Sequence, residues 1–282
     1  MARTLRMVDD RPVVRMMVLE TDQPHPETQE KKGSYSDVLH QHFKKAGEHH
    51  NPPLNVETDS RFVVTEKGGK IPSADEFEGF HGVLITGSMY DAHGNNEWIL
   101  DLMDLIRDLW VHRPTLKFSG ICFGHQLMSR LLGATVGPNP SEKWELAHSR
   151  IDLTDVGRQL FRTDKDHITL HQMHQDHVAT VPTVESAKGL LPPDTKVHVW
   201  GSSGHTAIQG LYIKNRLFTS QAHVAFDQDM VRHEMDMRVK EGAIKDRKHV
   251  SQAEETASFE HDGEVVARAI LRFFFGEDAG IP

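Results

Sequence analysis

Short apolar runs alternate along this chain with longer segments of helical periodicity. Pro12 to Glu20, His81 to Thr86 and Thr115 to Ile121 are strand-like and apolar, while Ser34 to Ala46 and Asn96 to His112 are amphipathic at a helical spacing. Neighbouring parallel strands need a crossover between them, and a helix usually provides it. The alternation therefore predicts an α/β fold, with an open and mostly parallel sheet flanked by helices.

The remaining segments extend this pattern without dividing the chain. Residues 145–170 and 206–222 carry β-rich patterns, and Lys214-Asn215 is a turn within the second of them. The tail from about residue 227 to 275 is charged and helical. We predict a single domain over residues 1–282, with residues 1–11 flexible and residues 227–282 forming a charged helical C-terminal part. Thr21 to Gly33 is expected to be a polar loop.

Charge and cysteine content narrow the class of protein. The formal net charge is −9, and no basic stripe is present that would replace counterions on phosphate, so no nucleic-acid partner is expected. The single cysteine excludes an intrachain disulfide and suits a reducing compartment. No segment has the apolar length of a membrane span, and residues 1–10 lack that of a signal peptide. We expect a cytoplasmic protein without a membrane partner.

The only cysteine lies in the run Gly120-Ile121-Cys122-Phe123-Gly124-His125-Gln126. A Gly-x-Cys-x-Gly run between a strand and a helix is the cysteine form of a nucleophile elbow, in which glycines allow close backbone approach. The helix that begins after Cys122 directs its N-terminal N–H groups at the sulfur and is expected to favour the thiolate. The alternative is a buried, unreactive cysteine.

A thiol nucleophile needs a base, and the sequence offers 20 histidines. His223 follows the strand-like run from Arg216 to Gln221. Sites in open α/β sheets form at the carboxyl ends of strands, so Cys122 and His223 are expected at the same edge. Any single histidine can instead be solvated or have a structural hydrogen bond.

Several of these segments together resemble class I glutamine amidotransferases. The Cys122 run is similar to that family's nucleophile motif, and the run from Phe218 to His223 is similar to the segment with its catalytic histidine. Leu84 to Ser88 resembles the oxyanion loop, Trp144-Glu145 a related pair, and His174 to Val178 a His-x-Asp-x-Val stretch. The stand-alone fungal and plant members, which include the γ-glutamyl peptidases, are the most similar subgroup. The resemblance implies a flavodoxin-like fold.

The resemblance also implies roles for matching residues. Cys122 would attack a γ-glutamyl carbonyl, His223 would act as the base, and the N–H groups of Gly87 and Phe123 would form the oxyanion hole. The predicted substrate contacts are Gln126, Ser88, Tyr90 and His174.

One position departs from the family pattern. The family usually reads His-Pro-Glu, where the glutamate orients the histidine, whereas this chain reads His223-Val224-Ala225. Either Asp227, a backbone carbonyl or nothing takes the role of that carboxylate. Loss of such an orienting group costs serine proteases about four orders of magnitude in rate.

These observations leave three functions open. The first is a stand-alone cysteine-dependent hydrolase or transferase that acts on a γ-glutamyl or related acyl bond of a small molecule. The second is a repurposed or non-catalytic scaffold that binds a metabolite, and the third is a glutaminase subunit that supplies ammonia to a separate synthase. The expected partners are thus a small-molecule substrate and either a synthase or a second copy in a homodimer.

Two further patterns have simpler explanations. His171, His174 and His177 fall at a spacing of three, but we interpret them as structural and predict neither a metal nor another cofactor. The charged run from Arg232 to Glu255 is interpreted as a solvated helical face, with Met235, Met237, Val239 and Ile244 turned partly inward.

Overall fold

The structure is a computed structural model that describes residues 7–8 and 11–282. Within these residues the strands are β1 (Met7–Val8), β2 (Arg11–Glu20), β3 (Asn55–Phe62), β4 (Gly82–Ile85), β5 (Lys117–Ile121), β6 (Val136–Pro138), β7 (Glu145–Leu153), β8 (His167–His174), β9 (Asp176–Val178), β10 (His198–Ser202), β11 (Gly210–Ile213) and β12 (Leu217–Ser220). The α-helices are α1 (Pro26–Lys32), α2 (Tyr35–Glu48), α3 (Glu97–His112), α4 (Phe123–Leu131), α5 (Asp155–Phe161), α6 (Gln228–Lys240), α7 (Arg247–Thr256) and α8 (Gly263–Phe275).

The predicted α/β architecture is confirmed. The strands β3, β2, β4, β5 and β12 are parallel neighbours in that order and form the centre of the sheet. Beyond β12 the sheet continues antiparallel through β11, β10, β7 and β8. The strands β6 and β9 form a separate antiparallel pair. The carboxyl ends of β4, β5 and β12 therefore lie side by side.

Helices cover both faces of the central sheet. Alternate residues of β2 enter different hydrophobic clusters: Met17 and Leu19 pack with α3 and α4, whereas Val14, Met16 and Val18 pack with α2 and α8. A strand buried on both faces reads as a continuous apolar run, as this one does. A third cluster joins α6 and α7 to β7 and β8. Helices α6 and α7 of the charged C-terminal part thus pack on the antiparallel half of the sheet, whereas α8 packs on its parallel centre.

Local differences from the sequence prediction have clear causes. Thr21 to Gly33 contains helix α1, which has Pro26 at its first position and a cap from His25. Residues 55–62 form the single strand β3, because its pairing along β2 overrides a polar, half-exposed sequence.

The predicted flexible segment 1–11 lies mostly outside the described residues. Of that segment, Met7–Val8 pairs antiparallel with Arg11 and Pro12. No helix in the described part of the chain has the length and apolar content needed to cross a bilayer.

Candidate active site

Cys122 occupies a strained turn between β5 and α4. Its φ is 52° and its ψ is −106°, and it stands at the N-cap of α4. A Cβ on Gly120 would lie 2.4 Å from the backbone of Gly124, and a Cβ on Gly124 would lie 2.3 Å from the carbonyl oxygen of Ile85. The two glycines are therefore required by backbone contact on either side of the cysteine, as a nucleophile elbow demands.

His223 and Gly87 converge on the same point. The Cys122 N–H donates to the carbonyl of Ser220 at 2.8 Å, which ties the elbow to the end of β12. Gly87 follows β4, and a Cβ built on it would lie 2.9 Å from His223 Cε1 and 3.5 Å from Cys122 Cβ. The ends of three neighbouring parallel strands thus bring Cys122, His223 and Gly87 together.

The expected thiolate is not favoured in this structure. Burial raises the pKa of the Cys122 thiol to about 12, against the lowering effect of the Phe123 N–H and of Arg238. The thiol also donates to the carbonyl of Met173 at 3.9 Å. The N–H at the helix N-terminus lowers the pKa, as predicted, but desolvation of the charged form outweighs it, so the expected net preference for the thiolate is wrong.

His223 is also neutral, and its ring has no carboxylate partner. Burial lowers its pKa to about 3. The ring stacks on Phe226 at 3.9 Å between centroids, and the backbone N–H donates to His171. No hydrogen bond joins the ring to any residue in the described part of the chain. Asp227 instead caps α6 and pairs with Lys32, so it does not replace the missing glutamate.

The predicted oxyanion donors have suitable surroundings. Among the described residues, the N–H groups of Gly87 and Phe123 donate to no backbone carbonyl. Thr21 holds the Gly87 carbonyl with its hydroxyl at 3.0 Å, which fixes the loop after β4. The Phe123 N–H faces the Cys122 sulfur, and a Cβ built on Gly87 would lie 3.5 Å from Cys122 Cβ, so both residues border the sulfur.

The four predicted substrate contacts lie around a polar pocket beside Cys122. Gln126 donates to the carbonyl of Asp176 and to Gln221, and the Ser88 hydroxyl donates to Thr21. The Tyr90 hydroxyl donates to Glu66 at 3.2 Å, and the buried His174 bonds to Glu145 at 3.1 Å. Each of these side chains has a hydrogen-bond partner in the protein, and His174 is buried.

Another pocket, which includes both Cys122 and His223, contains residues that sequence reasoning missed. Its charged groups come from Asp22, Glu234 and Arg238, and Tyr35 contributes a phenolic hydroxyl. The Tyr35 hydroxyl donates to Glu234 at 2.8 Å. Burial raises the pKa of the Glu234 carboxyl.

The interpretation of α6 as a solvated face needs correction. Glu234 and Arg238 are buried, although both are charged. The missed signal is helical periodicity, because positions 230, 231, 234, 235 and 238 share one face and three of them are Met230, Val231 and Met235. The apolar residues of that face carry Glu234 and Arg238 inward with them.

The structure separates the three histidines that were weighed as a metal site. His174 bonds to Glu145, whereas the His171 ring lies at 56° to the His261 ring, with 4.6 Å between ring centroids. Within residues 7–8 and 11–282, the side chains able to place three ligand atoms within 4.8 Å of one another are His25, Glu27 and His233. These lie on α1 and α6 and do not line either pocket beside Cys122.

Comparisons with known proteins agree with this geometry. The family described as glutamine amidotransferase class-I matches residues 64–228, more than half of the chain. A glutamine amidotransferase-like protein of Schizosaccharomyces pombe is 27% identical over 214 residues, covering 76% of this chain and 80% of its own length. Gamma-glutamyl peptidase 4 of Arabidopsis thaliana is 28% identical over 181 residues, covering 63% and 66%.

Solved structures show the same fold at low identity. A glutamine amidotransferase from Thermotoga maritima has a TM-score of 0.59 at 17% identity and covers 93% of this chain and 98% of its own. One from Methylobacillus flagellatus has a TM-score of 0.58 at 18% identity and covers 94% and 93%. With the family match, the chain belongs to the class I glutamine amidotransferases.

Proposed function

We propose that this protein is a cysteine-dependent hydrolase or transferase that acts on the γ-glutamyl bond of a small molecule. The observation that carries the proposal is the convergence of Cys122, His223 and Gly87 at the ends of three parallel strands, beside a pocket. Relatives named gamma-glutamyl peptidases support the choice of bond.

The reaction follows from the placement of these groups. His223 takes the proton of the Cys122 thiol as the sulfur attacks the γ-carbonyl carbon, and the N–H groups of Gly87 and Phe123 bind the oxyanion. The C–N bond then breaks, His223 returns the proton to the leaving amine, and a thioester remains on the sulfur. Water, deprotonated by His223, attacks the thioester, and the acid and the free thiol are released.

Both members of the dyad start uncharged. The pKa of the thiol is raised to about 12 and that of His223 is lowered to about 3, each by burial, so the ion pair is unfavourable before substrate binds. Proton transfer therefore accompanies attack on the carbonyl rather than preceding it. A buried neutral imidazole is free to accept that proton.

One observation favours a second candidate. Ala225 replaces the family glutamate, and no residue that the structure describes makes a hydrogen bond with the His223 ring. A scaffold that retains the pocket but binds a metabolite without turnover, or catalyses a different small-molecule reaction, would need no oriented base. Delivery of ammonia to a separate synthase stays a prediction.

The test measures covalent labelling and turnover in the same preparations. The protein is incubated with a diazo-ketone analogue of glutamine, its intact mass is recorded, and hydrolysis of glutamine and of γ-glutamyl peptides is assayed. We expect stoichiometric labelling, which Cys122→Ala abolishes and His223→Ala slows, together with hydrolysis. Binding of γ-glutamyl compounds without labelling or turnover would support the scaffold and contradict the enzyme.

A further inference from the structure

Two pockets meet at Cys122, and their walls differ. The first contains His223 but not Gln126, and the second contains Gln126 but not His223. Cys122 and Arg238 contribute to both. The first pocket has a cavity volume of about 40 Å³, and the second has one of about 210 Å³.

If the proposed function holds, the chemistry places the leaving group of the substrate in one pocket and its acyl half in the other. The group that protonates the leaving amine must contact it, so the leaving group lies in the pocket with His223. The acyl half then occupies the polar pocket with Gln126. Ammonia would occupy part of the first pocket, whereas a small organic amine would fill it.

Arg238 carries a charge that its neighbours satisfy incompletely. Its side chain is about nine-tenths buried, and its Nη1 has no hydrogen-bond acceptor within the residues that the structure describes. Glu234 lies 3.7 Å from Nη2 and Glu241 lies 3.6 Å from Nη1, both beyond ordinary hydrogen-bond length. A guanidinium stays charged in proteins, and a carboxylate is the acceptor that fits its planar donors.

The rest of the first pocket suits a small organic group beside that charge. Val38 and Leu39 of α2, Phe226, and Met230 of α6 provide apolar walls. Tyr35 holds Glu234 by a hydrogen bond at 2.8 Å, so Glu234 is fixed beside Arg238 rather than bound tightly to it.

We propose that Arg238 binds a carboxylate on the leaving amine, so that the protein releases an amino acid rather than ammonia or a simple amine. The C–N bond between the acyl carbon and that amino acid breaks while the bond between the sulfur and the acyl carbon stays intact. The nitrogen of the leaving amino acid takes a proton from His223. Arg238 and Glu234 lie on α6, outside the family match, which ends at residue 228.

The test compares two substrates that differ by one carboxylate. γ-Glutamyl-alanine and γ-glutamyl-ethylamide have the same leaving nitrogen and methyl group. A hydrogen-bonded charge in a buried site discriminates by about 10- to 100-fold, and we expect the wild-type kcat/KM to favour γ-glutamyl-alanine by that factor. Arg238→Gln should abolish the preference, so that the ratio of the two kcat/KM values falls to about one whatever change is common to both substrates.

Controls separate the possible failures. Arg232→Gln removes an exposed arginine of the same helix and should keep the preference. If Arg238→Gln does not fold, Arg238→Lys and product inhibition of the wild type by L-alanine against ethylamine carry the test, with L-alanine expected to inhibit at least tenfold more strongly.

The outcomes distinguish this inference from the proposed function. Equal hydrolysis of both substrates by the wild type overturns the role of Arg238 and leaves the γ-glutamyl hydrolase standing. Equal loss of both activities in folded Arg238→Gln also overturns it. Hydrolysis of neither substrate, without labelling of Cys122, overturns both.

Discussion

Alkylation of Cys122 by iodoacetamide should be slow in the folded protein and should accelerate with pH. The chain contains no other cysteine, so every alkylation event reports on this sulfur. Burial raises the pKa of its thiol from 9.0 to about 12. At neutral pH, below both values, this lowers the thiolate fraction about 1,000-fold relative to the unfolded chain.

The rate falls less than the thiolate fraction. A thiolate of higher pKa is the stronger nucleophile, and a Brønsted slope of about 0.4–0.5 restores about 20-fold of the rate. Alkylation at pH 7 is therefore expected to be about 50-fold slower than in the urea-unfolded chain, before any further slowing by limited access to the pocket.

Intact-mass measurement over time from pH 6 to pH 10 gives the rate directly. In the folded protein it should rise about tenfold per pH unit without a plateau, because the thiol stays largely protonated throughout. The unfolded chain, as the matched control, should level off near its ordinary pKa. A plateau below pH 8 in the folded protein would mean that the thiolate already exists, and that desolvation does not dominate at this elbow.

Three further perturbations test other parts of the structure. Burial lowers the pKa of His125 to about 3, that of His171 to about 4 and that of His223 to about 3. Below about pH 6.5 the unfolded chain binds more protons at these histidines than the folded protein does. Their contribution to the free energy of unfolding is therefore fully present above that pH and is lost as the pH falls. The loss reaches about 4 kcal/mol per pH unit for the three histidines together. Urea midpoints should drop sharply between pH 7 and pH 5, and equal midpoints would refute the burial. Gly124→Ala places a Cβ 2.3 Å from a backbone oxygen and should cost at least about 2 kcal/mol in the free energy of unfolding, whereas Gly137→Ala meets no atom within 4 Å and serves as the control in urea titration. Ala225→Glu places a carboxylate two residues after His223, the proposed base, and should raise kcat/KM for a γ-glutamyl substrate at least about tenfold and move its acidic limb to higher pH. An unchanged kcat/KM and an unchanged acidic limb of its pH profile would show that the His223 ring is already oriented.

The central sheet and the position of the elbow were predictable from local pattern. Buried parallel strands are continuous apolar runs, and Gly120, Cys122 and Gly124 announce the turn by type and spacing. Strand order at the carboxyl edge then brings His223 to Cys122 without any knowledge of side-chain contacts.

The parts that failed depend on long-range contacts. The protonation state of Cys122 is set by elements that cover it, and a helix N-terminus alone cannot reveal that burial. Arg238 and Glu234 are read as surface residues because charges usually are, and only the packing of α6 against α2 and β8 turns them toward the pocket. Asp227 is near His223 in sequence but is occupied by α6 and Lys32.

The stacking of His223 on Phe226 constrains the imidazole ring differently from a hydrogen bond to a carboxylate. An aromatic neighbour at 3.9 Å and 16° defines the plane of the imidazole, but a half-turn about the Cβ–Cγ bond leaves that plane unchanged. Such a stack does not select which ring nitrogen is presented to the sulfur, whereas a hydrogen bond to one nitrogen would. His223, as the proposed base, thus has two equivalent ring orientations, and in the proposed reaction the bound substrate selects one of them and so takes part in assembling the site.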